Sequence, residues 1–110
     1  MARGFPACAA LALLLLPGCA TIYDLDRRGP DARYVSERPR DEVAQCIASG
    51  MARLGRVDSD RGEGATRLIL RTQNGYPAAL VTVRTTPRGS NVSVRQTINY
   101  SLGETVRRCL

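Results

Sequence analysis

Histidine is missing from this chain altogether, and its absence closes several routes at once. It removes the commonest general base, proton shuttle and metal ligand together. No Ser-His-Asp or Cys-His arrangement can be assembled. Tryptophan is also missing and the single phenylalanine is Phe5, so no aromatic platform for a sugar is expected in the folded part. No Cys-x-x-Cys occurs and a zinc site lacks ligands. No glycine-rich stretch matches a phosphate loop or a dinucleotide fingerprint. The nearest thing to a metal loop is Asp58-Ser59-Asp60-Arg61-Gly62-Glu63. It opens like a calcium loop, but its fifth position is Gly62 and Arg61 adds a positive charge. The same carboxylates suggest an acid/base pair for glycoside cleavage, discounted for want of a rigid site. The expectation is no catalytic residue, no metal and no cofactor: this chain does not read as an enzyme.

What is present begins at the N-terminus. Met1-Ala2-Arg3 carries one positive charge, and Ala7 to Leu16 is apolar throughout. That run is too short for a bilayer core, which needs about 20 residues as a helix. A short positive flank, a short apolar stretch and a small-residue processing site describe a secretory signal. Pro17 and Gly18 break any helix just before Cys19.

Leu16-Pro17-Gly18-Cys19 resembles the lipobox of bacterial lipoprotein precursors, with Pro17 where Ala, Ser or Thr is usual. The resemblance implies removal of residues 1–18 as a signal peptide and acylation of Cys19, with palmitate among the chains. Ala20, in place of an aspartate, implies the outer membrane, on its periplasmic face. Ordinary signal cleavage after Ala20 is the alternative. The order of lipobox, Cys-bearing helix, meander and terminal Cys-Leu also resembles small envelope lipoproteins of Gram-negative bacteria, a likeness that implies no particular activity.

The formal charge is +6, from 16 basic residues, all of them arginine, and 10 acidic ones. An exported basic chain meets anionic lipids or acidic polymers before nucleic acid, so no nucleic-acid partner is expected. The plainer reading is that modest charge keeps a small domain soluble.

Residues 19–38 lack sustained periodicity and read as the lipidated N-terminus and a tether, although Ile22, Tyr23, Leu25, Tyr34 and Val35 suggest that part of it packs on the domain. Residues 39–110 read as one small α+β domain. Pro39 opens a helix whose Val43, Ile47, Met51 and Leu54 form one stripe, with Gly55 as its cap. Residues 56–66 read as a polar loop. The period then changes to two: "TRLILRT", an Asn74-Gly75 hairpin turn of type I′, "AALVTVRT", a turn centred on Arg88-Gly89, and "NVSVRQTINYS". The last run places Val92, Val94, Ile98 and Tyr100 on one face. The fold expected is one helix packed on a three-stranded antiparallel meander, ending in a helical turn or an extended tail.

With Cys8 in the signal and Cys19 in the lipobox, Cys46 and Cys109 remain. An even pair in an exported chain reads as a disulfide bracing the fold. Free buried thiols and intermolecular pairing are the rivals.

Strand alternation carries one further expectation. It places Arg67, Arg71, Arg84 and Arg95 on the sheet face away from the helix, with Ile69 and Leu80 between them. The facing pairs expected are Arg71 with Ala78, Arg67 with Thr82, Thr82 with Arg95 and Arg84 with Ser93. Guanidinium groups grip phosphate or carboxylate in a fork. The alternatives are an ordinary solvent face and a ligand-binding one. The resulting expectation is an outer-membrane-anchored structural or protein-interaction module, with binding of an anionic envelope lipid or glycan as the second reading.

Overall fold

The computed structural model describes residues 29–96 and 102–110. Within those residues it is an α+β fold built on one five-stranded antiparallel sheet with two helices. In chain order the elements are β1 (Ala32–Ser36), α1 (Arg40–Met51), β2 (Arg56–Arg61), β3 (Ala65–Arg71), β4 (Pro77–Thr86), β5 (Gly89–Gln96) and α2 (Gly103–Arg107). The sheet order is β1-β5-β4-β3-β2. Helix α1 therefore carries the chain from one edge of the sheet to the other, and the meander β2 to β5 brings it back beside β1.

The expected meander is present as β3, β4 and β5, but two strands flank it and a second helix follows it. β1 lies within the stretch expected as tether. Its five residues put Ala32, Tyr34 and Ser36 towards the core and Arg33 and Val35 outwards. An outward valine spoils the alternation of polar and apolar residues, so no period of two is visible. β2 replaces the expected polar loop. Only Val57 of its six residues packs on the core. Its backbone is held instead by pairing with β3 from Arg56↔Arg71 to Arg61↔Thr66.

The core lies between the sheet and α1. Val43, Ile47 and Met51 are fully buried against Leu68, Leu70, Val81, Val83, Val92 and Val94. Each such side chain contributes about 1.5–3 kcal/mol on leaving water. Helix α1 starts after Pro39, whose extended backbone sets the entry, and Asp41 and Glu42 complement the positive end of its dipole. It stops at Met51, earlier than expected. Leu54 N–H donates to the Met51 carbonyl at 2.8 Å, a three-residue step that swings Leu54 off the stripe and leaves it 46% exposed.

Both hairpins differ from expectation in an informative way. No residue except glycine has positive φ among the described residues, so Asn74-Gly75 is not a type I′ turn, which needs positive φ at both positions. The loop is one residue longer, with Gly75 at φ 82° and its N–H donating to the Thr72 carbonyl at 2.9 Å. Arg71 therefore faces Pro77 instead of Ala78. A bulge at Leu70/Arg71 then absorbs the extra residue and restores Ile69↔Leu80 and Arg67↔Thr82. In the second hairpin Thr86 faces Gly89, making Pro87-Arg88 the turn. Proline's fixed φ suits the first turn position. The register consequently moves by two residues: Arg95 faces Leu80, Thr82 faces Ser93, and Arg84 faces Asn91.

Gly89 begins β5 where the end of β1 crosses it. A Cβ there would collide with the Ser36 carbonyl oxygen and the Glu37 backbone. Two buried hydroxyls fasten this corner: Ser90 Oγ donates to the Arg38 carbonyl and Ser36 Oγ to that of Leu110, each at 3.0 Å. The opposite corner is tied by charge. Arg61 reaches Asp41 at 2.6 Å, and Arg40 donates to the Gly62 carbonyl at 2.9 Å.

The Cys46–Cys109 disulfide is present, with a Cα separation of 5.6 Å, and joins α1 to the turn after α2. Leu102, Val106 and Cys109 extend the core beneath that bridge. Ile98 and Tyr100 lie outside the described residues.

Candidate functional site

The sheet face away from α1 is where the four expected arginines meet. A register shift of two preserves side-chain parity, so Arg67, Arg71, Arg84 and Arg95 share this face despite the changed pairings. The two unforeseen strands add Arg33 from β1 and Arg56 from β2, together with Asp58 and Asp60. No sequence signal located Arg33 and Arg56 here, because neither strand shows period-two alternation.

These arginines are not equivalent. Arg71 is occupied: its Nε donates to Asp58 Oδ2 at 2.6 Å and its guanidinium also donates to the Gly75 carbonyl at 2.9 Å. Arg56 approaches the same carboxylate at 3.4 Å. The Arg71 hydrogen bond is the main reason that the Asp58 carboxyl is held below its ordinary range. Arg71 thus acts as a clasp between β2 and the β3–β4 hairpin. Arg67 and Arg95 are half-buried and engaged within the chain. Arg84 is exposed, as is Arg33.

Apolar residues divide the face into two parts. In the middle, Ile69 and Leu80 pair directly and are 8% and 0% exposed, and Thr82 beside them is also buried. They form a second, small core on the side away from α1. Towards the β1 edge, Val35 is 74% exposed, the most open large apolar residue described. Val35 faces Asn91, which faces Arg84, and Arg33 stands two residues before Val35 on the same side.

A shallow groove of about 470 Å³ runs between Arg67 and Arg84 and the β2–β3 turn, with Asp60 and Glu63 on its rim. Mixed charge makes it a poor fit for a strong anion. Among the described residues no cluster of three or more carboxylates or cysteines is placed to hold a metal ion. Asp58 and Asp60 are strand residues facing Ile69 and Arg67, not members of a loop. The candidate acylation residue, Cys19, lies outside the described residues.

Comparison with protein-family models, curated proteins and solved structures found no match.

Proposed function

We propose that this chain is a lipoprotein anchored in the outer membrane through acylated Cys19, whose folded domain is a structural or protein-interaction module of the periplasmic face. The observation that carries the reading is the pairing of a lipobox-like Leu16-Pro17-Gly18-Cys19 with a Cys46–Cys109 disulfide. Disulfides persist in oxidising compartments, so both features favour export. A non-catalytic role fits the chain's chemistry: there is no histidine, and Asp58, whose carboxyl is shifted, is clasped by Arg71.

A second reading is favoured by the shared placement of Arg67, Arg71, Arg84 and Arg95. On it the domain binds an anionic envelope component, a lipid or a glycan, through this face. Arg71 contributes least to that role, because its guanidinium is already held by Asp58 and the Gly75 carbonyl.

Intact mass of the protein extracted from membranes, before and after reduction, tests the main reading. The expected mass is that of residues 19–110 plus acyl chains, rising by two hydrogens on reduction. A mass without acyl chains removes the anchor and with it the outer-membrane assignment.

A further inference from the structure

The exposed Val35 has the exposed Arg33 two residues before it on β1 and the exposed Arg84 two strands away on β4, beyond Asn91, and neither arginine has a carboxylate partner among the described residues. Among the described acids, Asp60 and Glu63 line the groove beside Arg84 without an ion pair to it, and the others near this face are placed elsewhere. Asp58 and Asp60 belong to β2 at the opposite edge of the sheet. Asp31 accepts a hydrogen bond from the Gln96 amide at 2.7 Å. Glu37 lines a groove with Pro39, Arg40 and Asp41. The β1 edge therefore combines positive charge with one projecting aliphatic group. Such a combination suits a lipid headgroup layer, where arginines meet phosphates and a short apolar side chain enters the boundary below them.

Chain length points the same way. Twelve residues, 20–31, separate Cys19 from β1. Fully extended, they reach roughly 45 Å, and a flexible chain averages far less. Within β1, Val35 lies only three residues from the strand's start. An anchor at Cys19 consequently holds the domain within that reach of the bilayer at high effective concentration, with β1 the described strand nearest to it in sequence.

We infer that the β1 side of the outer sheet face, from Arg33 and Val35 on β1 to Arg84 on β4, docks on the anionic phospholipid surface of the membrane that carries the anchor. This inference rests on the lipid-anchor reading and gives the domain an orientation: the face bearing Arg33, Val35 and Arg84 lies down and α1 faces away. Partners then reach the module from the α1 side.

The test uses the acylated protein with Val35→Cys carrying an environment-sensitive fluorophore, reconstituted on vesicles of phosphatidylcholine alone or with phosphatidylglycerol. A second reporter, Gln45→Cys, sits on an exposed position of α1. The expected result is a blue shift at position 35 on phosphatidylglycerol vesicles only, none at position 45, and reversal in high salt. Combining Arg33→Ser with Arg84→Ser should weaken docking about 30-fold, roughly fivefold for each arginine. Protein that sediments with the vesicles but keeps an aqueous signal at position 35 overturns the docking and leaves the anchor standing. An equal shift on both vesicle types overturns the role of the arginines. Protein that sediments with neither vesicle overturns the anchor, and the docking falls with it.

Discussion

Opening the Cys46–Cys109 bridge is the perturbation with the largest calculable effect on this fold. The bridge spans 63 residues, enclosing the sheet from β2 to β5, the second half of α1 and all of α2. Chain-entropy arguments assign about 4 kcal/mol to a loop of that length. A domain of roughly 80 residues has a total stability of about 4–12 kcal/mol, so the bridge supplies a third of it or more. Urea unfolding followed by far-ultraviolet circular dichroism, with and without reductant, measures the difference on an unchanged sequence. With a slope of about 1.3 kcal/mol per molar urea, reduction should lower the midpoint by about 3 M. The Cys46→Ala/Cys109→Ala chain should behave like the reduced protein, with a small further loss because Cys109 is buried. A midpoint that moves by less than about 0.5 M would refute the reasoning. It would mean that burial of Leu102 and Val106 holds α2 in place without help from the crosslink.

Leu80→Ala should cost about 2–4 kcal/mol, because Leu80 is fully buried although it lies opposite α1; a thermal or urea midpoint close to that of the parent would show that the Ile69–Leu80 pair is not a second core. Gly89→Ala should destabilise by about 1–3 kcal/mol through collision with the Ser36 and Glu37 backbone, and calorimetry should show the lowered midpoint. Asp58, held low chiefly by Arg71, contributes stability that is present above its unfolded value near 3.8 and is lost as pH falls through the lower folded value. Acidification through that window should therefore destabilise the parent more steeply than Asp58→Asn, and parallel pH–stability curves would remove the clasp from the account.

Much of the meander was legible because every one of its strands turns an apolar face to α1. Leu68, Leu70, Val81, Val83, Val92 and Val94 all point at α1, and any register that exposed them would be costly. That constraint is why the arginine face survived two wrong turn assignments. In the first hairpin a longer loop and a bulge offset each other; in the second the error was two residues, which leaves every side chain on its own face. The edge strands were illegible for the opposite reason. β1 and β2 are stabilised by backbone pairing and by groups distant in sequence, such as Tyr34 against the core and Arg71 on Asp58, none of which leaves a local pattern. The same blindness hid Arg33, and with it the half of the candidate surface that carries Val35.

The position of β1 beside β5 has a consequence in time. Tyr34 sits across from Val92, so the first of the described strands has no neighbour until nearly the whole sheet has been made. A chain that emerges N-terminus first holds this segment in waiting while α1 and the meander assemble around Ile47 and Val81. The last hydrogen bonds to close are then those that fasten the fold to whatever precedes it. Order of emergence and order of completion run in opposite directions, and the oldest strand is the final piece.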